Sequence, residues 1–572
     1  METEIYIEYK MIFSDMPLAI SDYLKNIDRQ NLICFALRLI YSDGKYSDFK
    51  DYCSEFFCTE NFNFVNDCYK HLYEYIQESE NNISYIIPHK YIIISQSTAL
   101  ELLRQIFSID KNEFVVNVPK DLQEQYLFKA LLLINQIIGY WEVPPELNSQ
   151  GETTNLCLAK SIVCTTLNSF ESSNIRPEYV AMLQIIKGFH FFNYCKDSSQ
   201  FQNHLKEFLT KNGFTIWQQY LYEAINLILY PLKNKKGGFP VILLNEQKDG
   251  ETFLHNISFN EDTIVSLDEN LDYTYFKAHP LIEMKDGSYL PISPIFCINR
   301  LYRSVYFEFR AINRTFIGTS KYLNDKSLLP ILTTEFSEQI LFDNYIRNTL
   351  SRHHGVKLSD NDCKQIKTIG REPDFYFRDG NNIILFENKD IKIADKVISS
   401  KKYDLLDAEL QKKLINKHGV EQLIYNIKRI NDNAFIWDSQ IPNNPRIYPV
   451  LVIDDNSLCV PGLNYILNEA FQKQIKDYNI RIKVYPLILV ELDTLIAFKN
   501  YFQSDSVRFK KILDKYYDYI TTNKKNKSIE QIFRKYFPFY TFMAKEIVKS
   551  PFENTIFKEV YNSLIKALNI EE

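Results

Sequence analysis

Residues Arg371 to Lys389, reading Arg-Glu-Pro-Asp-Phe-Tyr-Phe-Arg-Asp-Gly-Asn-Asn-Ile-Ile-Leu-Phe-Glu-Asn-Lys, constrain this chain more than any other stretch. Two short runs rich in aromatic and β-branched residues, Phe375 to Phe377 and Ile383 to Phe386, flank Asp379-Gly380-Asn381-Asn382, which is hairpin-turn chemistry. Side chains alternate faces along a strand, so Glu387 and Lys389, two positions apart, share one face. A two-residue turn at Asp379-Gly380 sets Asp374 across from Leu385, diagonal to Glu387; a four-residue turn sets it directly opposite Glu387. Both registers put all three ionisable groups on one face.

Two carboxylates converging at the open end of a hydrophobic hairpin make a hard, all-oxygen site suited to Mg²⁺, with Mn²⁺ as the alternative, and a lysine beside them adds a compact positive charge. Pro373-Asp374, the hairpin and Glu387-Asn388-Lys389 together resemble the PD-(D/E)xK nuclease superfamily, over roughly residues 331–500. The resemblance implies that Asp374 and Glu387 bind the metal and that Lys389 assists hydrolysis of a phosphodiester, in DNA rather than RNA.

That superfamily often carries a further acid on the helix before the hairpin. A helix capped at Thr333-Thr334 and running to about Leu350 turns Glu338 toward Leu341, Phe342 and Tyr345, so Glu338 is the expected additional metal ligand and Glu335 the runner-up. Some branches also place a catalytic Gln on the helix after the hairpin; Gln422 matches by resemblance, although Tyr425 follows it by three positions rather than four. Restriction or antiviral defence against foreign DNA is the setting that the resemblance implies.

Around this core the periodicity suggests four regions. Residues 1–236 read as mostly helical, with a sub-boundary near 143–155 at Pro144-Pro145 and the polar Asn148 to Thr154, and they end at Lys233-Asn-Lys-Lys-Gly-Gly-Phe-Pro240. Residues 237–330 read as a strand-rich connector, with strands expected at Val241 to Leu244, Phe253 to Phe259, Phe276 to Met284 and Tyr289 to Ile292. Residues 331–502 hold the nuclease-like core, in which Gly355 to Leu358, the hairpin, Ile447 to Ile453 and Ile482 to Val490 are strands, the last two buried and central. Residues 503–572 read as a helical tail. The expected fold class is thus an α/β mixed-sheet, restriction-endonuclease-like core between a large helical N-terminal region and a helical C-terminal tail.

Composition narrows the classes. Hydrophobic content of 45% with 39 Tyr and 41 Phe supplies ample core for a chain of 572 residues, and argues against wholesale disorder. A net charge of −6 argues against a protein that coats nucleic acid through overall charge, although Val356 to Ile430 carries 15 Lys and Arg against 12 Asp and Glu. After the hairpin, Lys392, Lys396, Lys401, Lys402, Lys412, Lys413 and Lys417 read as a solvated face or as phosphate contacts, and Lys510-Lys511 and Lys524-Lys525-Asn-Lys527 as exposed basic patches.

Ten cysteines without a framework rhythm, and acidic Glu2, Glu4 and Glu8 at the start, predict a reducing cytoplasm. No apolar run reaches the roughly 20 residues that span a bilayer, so no membrane role is expected. Cys53, Cys58, Cys68 and His71 lie among aromatic residues and read as a core face rather than a zinc site, and His353-His354 read as structural. No P-loop is present, so any motor is a separate protein partner, with a homo-oligomer the other expected assembly. Two rival readings remain: the same fold without the chemistry, as a nucleic-acid-binding or assembly module, and a helical protein-interaction scaffold.

Overall fold

Short β-branched and aromatic runs, more than the helical periodicity around them, decide where this chain extends. The computed structural model describes residues 3–568 apart from 43, 83–88, 140, 147–153, 170–176, 230–231, 233–237, 245–249, 266–272, 417–418, 504–507, 522–528 and 548–554. The polar stretch Asn148 to Thr154, the boundary Lys233 to Pro240, Lys417 and the Lys524 to Lys527 patch therefore lie wholly or mostly outside the described residues.

The architecture is mixed α/β and rich in helix. Thr3–Tyr6 (β1) pairs in parallel with His89–Ile92 (β2), so residues 14–139 are not helical throughout. Ile92, Ile93 and Ile94 are β-branched, and such side chains lose rotamer freedom in a helix; here Ile92 ends the strand and all three are buried. The connector carries less strand than its sequence suggests. Ser258–Asn260 (β3), Leu281–Glu283 (β4) and Tyr289–Pro291 (β5) form a small sheet in the order β3-β4-β5. Phe253 and Phe276 instead sit in the helices Glu251–Asn256 and Thr274–Ala278, each turned inward and fully buried.

The main sheet is built from Val356–Ser359 (β6), Phe375–Asp379 (β7), Asn382–Lys389 (β8), Arg446–Ile453 (β9), Lys483–Val484 (β10) and Ile488–Glu491 (β11). Its order is β10-β9-β8-β7-β6, with β11 farther along the same edge of β9. β6, β7 and β8 are antiparallel neighbours, and β8, β9 and β11 run parallel. Ile482 to Val490 is not one central strand: Pro486 has no N–H for a ladder, pairing lapses between β10 and β11, and both lie at the sheet's edge. At the opposite edge Gly355 lies so close to the β7 backbone that a Cβ would stand 2.2 Å from Arg378 O, which excludes any larger residue there.

The helix before the sheet starts earlier than a cap at Thr333-Thr334 requires. It runs through Asp325–Ile331, Leu332–Phe342 and Asp343–Thr349. Pro330 lies inside it and removes one backbone donor; from Leu332 the winding opens to i→i+5, a form often found at functional sites. The Thr333 hydroxyl, instead of capping, donates back to Pro330 O at 3.0 Å.

Two hydrophobic cores result, one drawing on residues 7–138 with 259–296 and the other running from Ala159 to Leu564. The second joins the helix Pro177–Asp197 to the sheet through buried charge. Lys187 is 2% exposed and its ammonium lies 2.5 Å from Asp454, just after β9, and 2.6 Å from Asp493, just after β11. Arg303 similarly pairs with Asp390, just after β8, at 2.8 Å and with Asp455 at 2.9 Å. Removing one member of such a cluster leaves its partners charged and unsolvated. Lys187→Ala is expected to destabilise the protein by about 3–5 kcal/mol, read as a shift in the urea unfolding midpoint at constant slope; an unchanged midpoint would mean that the cluster is solvated.

Candidate functional site

The hairpin register decides where the three ionisable groups meet. Phe375 pairs with Phe386 and the ladder closes at Asp379 and Asn382 around Gly380-Asn381. Gly380 takes a φ of +57° at the first central turn position, which a side chain would resist. One step beyond the ladder's open end, Asp374 stands opposite Glu387, the register of the longer of the two turns weighed from sequence.

Each side chain at that end has a fixed role. The Asp374 Oδ2 accepts a hydrogen bond from the Asn388 backbone N–H at 2.6 Å, which ties it across the hairpin. The Lys389 Nζ donates to Glu387 Oε1 at 2.7 Å and lies 3.5 Å from Asp374 Oδ2. Glu387 is 1% exposed, and its Oε2 has no hydrogen-bond partner among the described residues. Burial, and then the nearby Asp374 charge, push the Glu387 carboxyl well above the usual range against the pull of Lys389. Burial opposes the Lys389 ammonium, yet Asp374 and Glu387 outweigh it and hold its pKa above that of an ordinary lysine.

Glu338 arrives on the wide-wound helix, whose Phe342 packs on Phe375 and Phe386. Burial first, and Asp374 second, push its carboxyl up to about 8. Glu335, the runner-up, faces away and accepts from the Tyr194 hydroxyl at 2.6 Å. A fourth acid went unnoticed in the sequence. Asp360 follows the capping Ser359 at the end of β6, pairs with Lys364 at 2.6 Å, and is raised by burial against the pull of Lys364, with the Asp374 charge adding to the rise. Its signal was a capping box directly after a strand, which marks a helix start and carries no chemistry of its own.

No protein-family model, curated protein or solved structure matches this chain.

Geometry and donor chemistry must therefore carry the site. The donors are carboxylate oxygens, the set that Mg²⁺ and Mn²⁺ take, and the buried Glu387 Oε2 is without a hydrogen-bond partner, so Asp374, Glu387 and Glu338 are the residues that could hold such an ion. Among the described residues no three His, Cys, Asp or Glu side chains stand in the spacing of a formed metal site. In this conformation the Lys389 ammonium supplies the positive charge shared by Asp374 and Glu387.

Other expected groups are placed elsewhere. The Gln422 Nε2 donates to Glu372 O at 3.0 Å, so it holds the loop that carries Asp374. His353 is structural: its Nε2 accepts from Phe509 N–H at 2.9 Å. Burial pushes the thiols of Cys53 and Cys68 up to about 12. Of the lysines after the hairpin, Lys392 pairs with Asp395 at 3.3 Å and Lys413 with Glu409 at 2.7 Å, as on a solvated face.

Lys401 is not a phosphate contact. It is buried and donates to Ile137 O at 2.5 Å. Burial lowers this amine from 10.5 to about 7. Below pH 7 the folded state holds the full buried charge and above pH 10.5 neither state is charged, so this residue's contribution makes stability rise with pH between the two values. The unfolding free energy of wild type minus that of Lys401→Met should grow by about 2–3 kcal/mol from roughly pH 6.5 to 9 in urea titrations; a pH-independent difference would place the amine in water.

Proposed function

We propose that this chain is a metal-dependent nuclease that hydrolyses phosphodiester bonds of DNA, with a restriction-endonuclease-like core of the PD-(D/E)xK type. One observation carries the reading: Asp374, Glu387 and Lys389 meet on one face at the sheet's rim, with the buried Glu387 Oε2 left unpartnered. Asp374 and Glu387 would hold the ion, with Glu338 as a further ligand. A bound divalent cation lowers the pKa of a water and offsets charge on the phosphate.

The chain's own groups do the rest. Lys389, held above the usual lysine value, stays charged through the neutral range and can orient the attacking oxygen or balance the negative charge that develops on the phosphate. Burial and Asp374 push the Glu338 carboxyl up to about 8, which favours its protonated form at neutral pH; as a ligand it would have to be ionised. The antiparallel pairs β6-β7 and β7-β8 beside parallel β8-β9 support the mixed-sheet core, and the chain has a large helical region suited to targeting. Restriction or antiviral defence in the cytoplasm is the setting proposed on that analogy.

One observation favours a second reading, a nucleic-acid-binding or assembly module without turnover: the Lys389 ammonium stands where the two carboxylates would share an ion. Incubation of plasmid, single-stranded DNA and RNA with Mg²⁺ or Mn²⁺ separates the two. The wild type is expected to cut DNA, Lys389→Ala to lose about 10²–10³-fold in rate, and Asp374→Ala to show no cutting. Equal cutting by all three proteins would remove the mechanism, and none by the wild type would favour the silent module.

A further inference from the structure

The loop before Asp374 and the helix Val420–Asn431 tied to it by Gln422 carry a set of cations that the hydrolytic reading does not use. Arg371, three residues before Asp374, is exposed, and its guanidinium lies 4.9 Å from the ring centroid of Tyr425. Arg429, on the same helix Val420–Asn431, lies 5.8 Å from that ring and 4.9 Å from the ring of Trp437. Next to it the Lys428 ammonium sits 3.9 Å from the ring of Tyr478. Among the described residues Arg371, Lys428 and Arg429 have no carboxylate ion-pair partner, whereas Lys364 and Arg378 are paired with Asp360 and Asp438. Glu421, one turn before Tyr425, is the nearest acid in sequence on that helix.

These groups are anchored, unlike free surface lysines. Glu372 Oε1 accepts from the backbone N–H groups of Ile369 and Gly370 at 2.5 and 3.1 Å, which fixes the loop under Arg371. Gln422 ties the helix of Tyr425 and Arg429 to that same loop through Glu372 O. Arg429 is steadied by donating from Nε and Nη2 to Ala434 O at 3.1 and 2.7 Å. The loop that positions Asp374 therefore also positions the cations. Both arginines already lean on Tyr425, so this patch presents the Arg371 fork and the N–H groups of Arg429 not taken by Ala434 O, more than an open aromatic face. A fork matches the paired oxygens of a phosphate and is indifferent to base identity.

We propose that Arg371 and Arg429, set by Tyr425, form a subsite that grips backbone phosphates of the nucleic-acid strand flanking the bond to be cut. The inference rests on the nuclease reading and adds to it a strand path, leaving the rim at Asp374 over the helix Val420–Asn431, and a sequence-independent mode of holding the substrate.

The test is fluorescence anisotropy of a dye-labelled 20-mer, as duplex and as single strand, titrated in EDTA over a range of salt. Each of Arg371→Ala and Arg429→Ala should flatten the plot of log affinity against log salt by about 0.9 on duplex or about 0.7 on a single strand, and weaken binding by about five- to tenfold at 0.1 M salt, equally for unrelated sequences. Tyr425→Phe keeps the ring and should bind as wild type; Arg371→Lys should keep the salt slope, and circular dichroism confirms that each variant is folded. A folded double arginine variant with wild-type affinity and slope would overturn the subsite, as would wild-type protein that binds neither probe. If the wild type cuts DNA with Mg²⁺ while the double variant binds unchanged, the subsite fails and the nuclease reading stands. If binding depends on the two arginines but no divalent ion supports cutting, the subsite stands and the nuclease reading falls.

Discussion

Four carboxylates and two cations sealed beneath the ends of the parallel strands are the constraint on which the rest depends. Lys187 and Arg303 come from elements that precede the sheet in sequence, and Asp390, Asp454, Asp455 and Asp493 follow β8, β9 and β11. Moving such groups out of water costs several kcal/mol per ion, and apolar residues of the same size would serve stability as well or better. The gain is in register. Each cation bridges acids from two different strand ends, so a slipped strand would strand a charge in the interior. Asp454 adds a backbone bond to Lys389 O at 3.2 Å, and its side chain accepts from the Ser337 hydroxyl at 3.3 Å, one residue before Glu338. The cluster thereby touches both elements that deliver the candidate site.

The candidate site has a similar composition. Glu338, Asp360, Asp374 and Glu387 gather with Lys389 as their central cation and Lys364 at the margin. Glu338, Asp360 and Glu387 are raised because burial favours the neutral carboxyl and neighbouring carboxylates repeat the same sign. Both clusters set four carboxylates against two cations, and both keep buried carboxylate oxygens without a hydrogen-bond partner among the described residues: Asp390 Oδ2 and the two Asp493 oxygens there, Glu387 Oε2 here. They differ in what they join: the strand-end cluster ties Lys187 and Arg303 to the ends of β8, β9 and β11, whereas Lys389 meets Asp374 and Glu387 within the hairpin itself.

The legible part of this arrangement was the part with a short period. Asp374, Glu387 and Lys389 are placed by the alternation of a strand and by one turn, so residues 374–389 alone carry their convergence. The buried runs of β8 and β9 were likewise readable from unbroken apolar text. What could not be read depends on partners far away in sequence. Lys187 meets Asp454 across 267 positions, and no local pattern marks either as half of a pair. Pro330 shifts a helix start and its winding, and Pro486 splits a strand, because a missing N–H acts through the ladder around it. Asp360 hid behind its role in a helix start. In the connector, Phe253 and Phe276 fit either a strand or a short helix, and burial by neighbouring elements decided for helix.

Lysine rather than arginine at position 389 follows from the same geometry. Glu387 uses one oxygen for the ammonium and keeps the other free, and Asp374 meets that ammonium at 3.5 Å while its Oδ2 is already engaged with the Asn388 N–H. A guanidinium fork would take both Glu387 oxygens in a bidentate pair and leave none for a cation. A compact ammonium on a flexible stem holds both acids together while leaving Glu387 Oε2 free, without either carboxylate changing strand or register. On the nuclease reading, the close contact between Lys389 and the acids is thus the resting form of a site whose charge is completed by metal and substrate together.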